Sequence, residues 1–214
     1  MLPPAEFLPT ALAHALRQPL PGGKAHRRMA PELAYSRHDG PPSRSAREAA
    51  VLVLLYPVDQ VWHLLLTVRP TAMGTHAGQI CFPGGASEPQ ETPEVAAVRE
   101  YAEEVGGASA NIEHIGRLSP VYVFNSNFHV TPCVAVTREP PEFFPSPAEV
   151  AAILEVPLPH LADRRTQGRM LIERRGLTFS APCFEYAERR IWGATALMIA
   201  ELLMLLETTA DEPT

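Results

Sequence analysis

Three glutamates, Glu100, Glu103 and Glu104, have the types and spacing that most directly suggest chemistry in this chain. They lie within residues 81–107, where a Gly-rich turn runs through an acidic loop into a predicted helix. At 3.6 residues per turn these three positions share one helix face, so their carboxylates lie within about one turn of each other. Crowded carboxylates repel one another unless a cation compensates or water screens them. The spacing therefore favours a site for a hard divalent cation, such as Mg²⁺ or Mn²⁺, that also attracts substrate phosphates.

Residues at both ends of this segment independently predict the helix. Thr92 can act as its N-cap, and Pro93 suits its first position. Gly106 can adopt the left-handed conformation that ends many helices. The apolar face expected to dock on a sheet consists of Val95, Val98, Ala102 and Val105. The same glutamates would also fit an acidic helix face that is simply exposed to solvent.

The wider spacing favours the metal site over the solvated face. The chain matches every fixed position of the pattern G-x5-E-x7-R-E-U-x-E-E-x-G-U, in which U is a bulky apolar residue. The matching residues are Gly85, Glu91, Arg99, Glu100, Glu103, Glu104 and Gly106. This pattern is the Nudix box, so the chain resembles the Nudix hydrolases. The two U positions depart from it, since Tyr101 is polar at one end and Gly107 is too small to fill an apolar slot.

The segment immediately before the box resembles the signature of a Nudix subfamily that hydrolyses coenzyme A. This signature is L-L-T-x-R-[S/A]-x3-R-x3-G-x3-F-P-G-G. The matching residues are Leu65, Leu66, Thr67, Arg69, Gly78, Phe82, Pro83, Gly84 and Gly85. Pro70 replaces the small residue, and Gly74 replaces the second arginine. The second change removes a guanidinium group that could bind a phosphate or carboxylate through two hydrogen bonds. Other parts of the chain that resemble this subfamily are His76 with Gln79, Glu149–Val150, Glu155–Leu158 and Ile191–Ala196. The resemblance covers roughly residues 48–206.

The resemblance implies a Mg²⁺- or Mn²⁺-dependent hydrolase that splits the diphosphate bond of coenzyme A or acyl-coenzyme A. The products would be 3′,5′-ADP and the (acyl)phosphopantetheine. Two alternatives stay open. One keeps the reaction but acts on ADP-ribose, NADH or a nucleoside triphosphate, and the other is a Nudix module that binds nucleotide without hydrolysing it. Such a module would usually lack one of the helix carboxylates, and this chain has all three.

The resemblance also assigns roles within the metal site. Glu100 and Glu104, one turn apart, are the leading metal ligands, and Glu103 completes the cluster. The backbone carbonyl of Gly85 is a further ligand that the resemblance implies. We expect Arg99 to pair with Glu91 and fix the loop to the helix, although a purely structural ion pair would look the same in the sequence.

The general base and the substrate contacts are less fully determined by the sequence. The base is Glu103, Glu149 on a loop after a Pro-rich segment, or the metal centre itself. The predicted substrate-binding residues are Arg69, His76, Gln79 and Phe82. Arg69 would contact phosphate or else cap a strand, and His76 would position its loop or touch substrate. Trp192 is interpreted as a core residue rather than a platform for a base.

Alternating and apolar runs predict the elements that position these residues. Strands are expected near residues 49–57, 61–69, 79–82, 112–124, 128–137, 150–156, 169–172 and 177–186, and a largely apolar helix near 194–206. A mixed β-sheet sandwiched between the acidic helix and this later helix gives a three-layer α/β arrangement, as in the Nudix fold. The apolar helix is expected to be buried against the sheet or against a partner subunit, and the latter would make a homodimer.

The domain boundaries are predicted at 1–48 for an N-terminal extension with a short helix and a loop, 49–207 for the Nudix hydrolase domain and 208–214 for a C-terminal tail. A possible helix covers 9–17. The loop that follows is rich in Pro, Gly and basic residues, and we interpret it as flexible and solvated.

Composition limits the classes of partner. The net charge of −6 and the pI near 5.8 argue against sequence-independent binding of nucleic acid. Three cysteines without C-x-x-C spacing indicate neither a disulfide framework nor a zinc site. The first residues lack the pattern of a signal peptide, and no apolar run is long enough to span a bilayer. We therefore expect a cytoplasmic protein that acts on a small diphosphate substrate, with no nucleic-acid or membrane partner.

Overall fold

The computed structural model describes residues 2–34, 37–71, 78–107, 109–174 and 176–209. The helices are α1 (Leu8–Ala15), α2 (Gly23–His26), α3 (Pro93–Val105), α4 (Leu158–Ala162) and α5 (Ala194–Thr209). The strands are β1 (Arg47–Val58), β2 (Val61–Val68), β3 (Ile80–Cys81), β4 (Gly84–Ala86), β5 (Glu113–Arg117), β6 (Val121–Val123), β7 (Phe128–Val136), β8 (Ala152–Pro157), β9 (Gln167–Arg174), β10 (Leu177–Tyr186) and β11 (Arg189–Trp192).

The central sheet is mixed and is built around β1. The strands run in the order β3-β2-β1-β7-β5, with β4 also pairing with β1, β6 with β7 and β8 with β2. The two predicted strands β1 and β2 form a hairpin, whose turn residues Asp59 and Gln60 both have positive φ. That conformation matches the twist of the two strands. β7 runs parallel to β1, whereas the other pairings are antiparallel.

Side chains of β1 alternate between two apolar cores, one on each face of the sheet. Leu52 and Leu54 pack on the side of α3, and Val53 and Leu55 pack on the side of α1 and α5. All four are fully buried. The central sheet therefore lies between α3 on one face and α1 with α5 on the other, which confirms the predicted three-layer α/β architecture.

The apolar helix α5 is covered within the chain itself. Its side chains from Ala196 to Leu206 are buried, including Glu201 in the middle of the helix. The smaller sheet, β11-β10-β9, contributes Phe184 and Ile191 to the same core. Of the two predicted ways to bury this helix, packing inside the chain is therefore the one observed.

The docking face of α3 agrees with the prediction only in part, since Val105 is fully buried and Val98 packs against the core, but the other two predicted residues are exposed. Val95 is 55% exposed and Ala102 is also exposed, whereas Ala96, Ala97 and Tyr101 are fully buried. Small alanines allow the helix to approach the sheet closely, because no long side chain separates the two backbones. The helix is consequently turned so that Glu104 also faces inward.

The N-terminal segment is ordered against the domain, so the expectation of a flexible loop was wrong here. Leu8 and Leu12 of α1 are buried in the core shared with α5. Within the predicted loop, α2 forms and buries Ala25 and His26. The backbone oxygen of Ala5 also accepts a hydrogen bond of 2.7 Å from the indole nitrogen of Trp62 on β2.

Cys81, Cys133 and Cys183 are all free thiols. Among the helices of the described ranges, none combines the length and the hydropathy that a bilayer span requires.

Candidate active site

The acidic helix α3 begins and ends where its capping residues predict. The hydroxyl oxygen of Thr92 accepts a hydrogen bond of 3.4 Å from the backbone nitrogen of Val95, and Pro93 occupies the first helical position. Gly106 has φ of 65° and donates its backbone N–H to the carbonyl of Ala102. These caps fix where the helix starts and stops, and therefore where its glutamates lie.

The Gly-rich turn lies directly against two of these glutamates. β4 is paired with β1, and the backbone N–H of Gly84 donates a hydrogen bond of 3.2 Å to the carboxylate of Glu104. A Cβ atom at Gly85 would overlap the carboxylate of Glu100. Glycine at 85 therefore lets the backbone approach this carboxylate without displacing it.

Glu104 is a buried carboxyl group in an environment that opposes its charge. It is 4% exposed, and its pKa is raised to about 7 because burial removes its hydration. The carboxylates of Glu100 and Glu149 raise the pKa further, and the Gly84 amide and the Arg69 guanidinium offset only part of the effect. A cation beside Glu104 would remove this electrostatic penalty.

Arg99 connects the acidic loop with the helix. Its guanidinium donates hydrogen bonds of 2.9 and 3.1 Å to the two carboxylate oxygens of Glu91. It also donates to Glu100 at 2.8 Å and to Glu103 at 3.3 Å. These bonds to Glu91 lower the pKa of that carboxyl group. Arg99 thereby holds the acidic loop and the helix in one arrangement.

The donor set fits a hard divalent cation with few protein ligands. Among the described residues, no three His, Cys, Asp or Glu side chains are arranged so that they could hold a metal ion together. Glu103 points outward, with its side chain 55% exposed. Mg²⁺ is commonly bound by only one or two carboxylates, together with waters and substrate phosphates. Glu100 and Glu104, with the backbone of Gly85 beside them, match that smaller set.

Backbone hydrogen bonds hold the Pro-rich loop on the end of α3. Residues 144 and 146 donate to the carbonyls of Val105 and Glu104, each at 2.8 Å. The exposed Glu149 follows on this loop, near enough to Glu104 to influence its pKa. Sequence reasoning placed Glu149 on a loop bordering the site but did not foresee the contact with α3, because backbone donors and acceptors are the same at every residue.

The predicted substrate contacts lie in different environments. Arg69 lies near Cys81 and Glu104, and its Nε atom is buried without a hydrogen-bond partner within the described residues. Gln79 lies beside it, since its carbonyl accepts a hydrogen bond from the Arg69 backbone. Phe82 is 2% exposed and packs in the apolar core, which corrects its predicted role as a substrate contact. His76 lies outside the described residues.

Cys81 also borders this site, but its environment disfavours a nucleophilic thiolate. Burial raises the pKa of the Cys81 thiol above its usual value. The residues that define the site are therefore carboxylates, backbone groups and Arg69.

Comparison with known proteins agrees with this architecture. The NUDIX domain model matches residues 46–172. Proteins named Nudix hydrolase NudL, described as uncharacterized, are 34% identical over 166 residues in Photorhabdus laumondii and 33% identical over 161 residues in Yersinia pestis. The first alignment covers 76% of this chain and 88% of the relative, and the second covers 75% and 80%.

Solved structures show the same fold. A Nudix hydrolase from M. smegmatis, RenU, aligns with a TM-score of 0.53 at 22% identity, covering 87% of this chain and 96% of that one. The MutT protein from Methanosarcina mazei aligns with a TM-score of 0.51 at 15% identity, covering 79% and 100%.

Fold and site together define a Nudix hydrolase, a class that generally uses divalent metal ions such as Mg²⁺ or Mn²⁺ and acts on small nucleoside diphosphate compounds. The chain belongs to the NUDIX domain family.

Proposed function

We propose that this protein hydrolyses the diphosphate bond of coenzyme A or acyl-coenzyme A, giving 3′,5′-ADP and the (acyl)phosphopantetheine. The observation that carries this proposal is the signature from Leu65 to Gly85, which continues directly into the acidic site. Its Arg69 lies near Glu104, with a buried Nε atom that still lacks a partner among the described residues. A phosphate oxygen of the substrate would supply the missing acceptor.

Glu100, Glu104 and the backbone carbonyl of Gly85 would hold the divalent cation. When bound, this ion neutralises the diphosphate oxygens and lowers the barrier to attack by water. Arg99 and Glu91 keep the helix and the acidic loop in register, so that the ligands stay in place. Arg69 binds a diphosphate oxygen and helps to orient phosphorus toward the incoming water.

A carboxylate of this chain accepts the proton from the attacking water. The candidates are Glu149, on the loop bound to α3, and the exposed Glu103 on the helix. The water oxygen forms a bond to phosphorus while the bond from phosphorus to the bridging oxygen breaks. The bridging oxygen leaves with the other half of the substrate, and no covalent intermediate with the protein is required.

A substrate panel tests the proposal. Purified protein with Mg²⁺ or Mn²⁺ is assayed with coenzyme A, an acyl-coenzyme A, ADP-ribose, NADH and a nucleoside triphosphate. We expect the highest kcat/KM on one of the two coenzyme A compounds, with adenosine 3′,5′-bisphosphate as a product. A kcat/KM for ADP-ribose equal to that for coenzyme A would defeat the assignment. Binding of these compounds without turnover would instead support a non-catalytic Nudix module.

A further inference from the structure

A cavity of about 520 Å³ lies between the start of β3 and β11. Its volume is within the usual range of small-molecule sites. Residues that line it include Gln79, Ile80, Met170, Arg189, Arg190 and Trp192. The cavity therefore lies between the segment that resembles the coenzyme A signature and the small sheet.

The side chains of β11 give this cavity an aromatic and cationic wall. Trp192 is only partly buried, so its position differs from the core role predicted for it, whereas its neighbour Ile191 is fully buried. Arg190 lies two residues away and therefore on the same face of the strand as Trp192. Its side chain is 55% exposed, and its closest ion pair, with Glu185, is long at 3.9 Å. An indole stacks on nucleobases, and a guanidinium matches the geometry of a phosphate.

The charges around the cavity favour an anion. Among the lining residues, Arg189 and Arg190 contribute two positive charges and Glu188 contributes one negative charge. Glu185 does not line the cavity, and its ion pair with Arg190 is long enough for a phosphate to compete with it. A second cavity, of about 440 Å³, lies beside the acidic loop and is lined by Glu48, Glu88 and Glu91. Its carboxylates would repel a phosphorylated ligand. Only the first of these two cavities has the charge that a nucleotide needs.

The cationic cavity is also close to the acidic site along the chain. Ile80 lines the cavity, and Gly84, four residues later, donates its N–H to Glu104. Four residues span at most about 14 Å even when fully extended. The hydroxyl of Thr195, just after Trp192, donates a hydrogen bond of 3.0 Å to the carbonyl of Ile80 and joins the two walls. One substrate can therefore reach both places.

We propose that this cavity binds the adenosine 3′-phosphate end of the substrate, with Trp192 stacked on the base and Arg190 bound to the 3′-phosphate. This inference rests on the proposed function and deepens it, because it identifies a residue that distinguishes coenzyme A from diphosphates without a 3′-phosphate. Trp192 recognises the base, which many nucleotides share. Arg190 recognises the additional phosphate.

The test compares coenzyme A with the same molecule lacking its 3′-phosphate. We expect Arg190→Ala to raise KM for coenzyme A about tenfold, since it removes a charge-assisted hydrogen bond, while KM for the second substrate stays within about twofold. Trp192→Leu should raise KM for both substrates equally, and Trp192→Phe should restore most of the affinity. Arg165→Ala removes an exposed arginine that does not line the cavity and serves as the matched control. Equal or absent changes for the two substrates in Arg190→Ala would overturn the inference.

A binding measurement separates failure of this inference from failure of the proposed function. If the wild-type protein hydrolyses neither substrate, the proposed function fails. Titration calorimetry with adenosine 3′,5′-bisphosphate then decides the inference. Binding to the wild type that weakens about tenfold in Arg190→Ala, but not in Arg165→Ala, supports it. Absence of binding to the wild type, or equal binding by Arg190→Ala, overturns it.

Discussion

Tyr101 lies on the buried face of α3, with its hydroxyl group directly against Gly107. A Cβ atom at 107 would overlap this hydroxyl group. The two residues that depart from the family pattern therefore compensate for each other, since the larger side chain at 101 uses the space that the smaller residue at 107 leaves open. The hydroxyl group itself has no hydrogen-bond partner among the described residues.

Tyr101→Phe is therefore expected to maintain or increase stability. Removing a buried hydroxyl group without a partner relieves a desolvation penalty of about 1 kcal/mol. Tyr56→Phe is the matched control, because the Tyr56 hydroxyl donates a hydrogen bond of 2.9 Å to Glu155. We expect the control to lower the free energy of unfolding by about 1 kcal/mol. Urea denaturation measures both changes, and a clear loss of stability in Tyr101→Phe would show that its hydroxyl group is satisfied.

The single substitution Glu104→Gln tests the assignment of Glu104 as a metal ligand. Glutamine keeps the shape and can still accept the Gly84 hydrogen bond, but it removes the charge that would bind a cation. Turnover at saturating Mg²⁺, on the best substrate of the panel, should fall about 100-fold or more. Glu94→Gln, on the same helix and paired with Arg117, should keep activity within about twofold. Turnover of Glu104→Gln near that of wild type would show that Glu104 is not a ligand.

At the scale of the elements, the end of α3 organises the loop that carries Glu149. The backbone of Gly106 has a left-handed conformation and approaches Phe144 so closely that a Cβ atom would meet the Phe144 carbonyl. The same loop donates backbone hydrogen bonds to the last turn of α3. One glycine therefore ends the helix and also leaves room for the loop.

Gly106→Ala should lower both stability and activity. The left-handed conformation costs a non-glycine residue about 1 kcal/mol, and the overlap with Phe144 adds to this loss. Displacement of the loop should also reduce kcat, if Glu149 acts in catalysis. Gly176→Ala is the control, because Gly176 has φ of 73° and open space around it. Equal losses of stability in the two variants, measured by thermal unfolding, would show that the contact with Phe144 contributes nothing.

Local signals predicted the elements well, because their causes lie within a few residues. The caps of α3 and the strands β1 and β2 are examples. The buried face of α3 was predicted only in part, because apolar residues lie on more than one of its sides, and Val105 is buried as expected. Contact with the sheet selected the face with Ala97 and Tyr101, while Val95 stayed exposed.

At the scale of the whole molecule, a buried polar network joins the N-terminal segment to α5. Glu201, fully buried, lies 3.2 Å from one ring nitrogen of His26, and Asp39 lies 2.9 Å from the other. The hydroxyl of Ser119 donates to Glu201 at 2.7 Å, and the backbone nitrogen of Gly22 donates at 3.0 Å. Burial alone would lower the pKa of His26, but the hydrogen bonds with Glu201 and Asp39 raise it overall.

This network predicts that stability depends on pH. Because the pKa of His26 in the folded state is above 6.5, its stabilising contribution is complete below pH 6.5 and is lost as the pH rises through the folded pKa. Hydrogen bonds from His26 and Ser119 outweigh burial and lower the pKa of Glu201 below 4.5, so its contribution is present above pH 4.5 and is lost as the pH falls through the folded pKa. His26→Gln should therefore lower the free energy of unfolding most between these limits, by about 3 kcal/mol.

Urea denaturation of wild type and His26→Gln at pH 5.5 and pH 8.5 measures the effect. Lys24→Gln, an exposed change on the same short helix, is the control and should show no such pH dependence. A stability difference between wild type and His26→Gln that is the same at both pH values would contradict the ionised pair.

Sequence reasoning could not foresee this network. His26 and Glu201 are 175 positions apart; Glu201 interrupts an apolar run, whereas His26 lies among the basic residues Lys24, Arg27 and Arg28. The carboxylate site was predictable because its spacing lies within one helix. By contrast, the approach of Trp192 to Ile80 depends on how two sheets are placed, which one sequence alone does not reveal.

The attachment of α1 and α2 to α5 also has a consequence for folding during synthesis. Leu8 and Leu12 leave the ribosome long before α5, but the surface that buries them is formed in part by this helix, which begins at Ala194. Their apolar side chains must therefore stay exposed, or be held by a chaperone, while most of the domain is translated. Contacts between segments so distant in the chain also slow folding, since a long loop must close before they form.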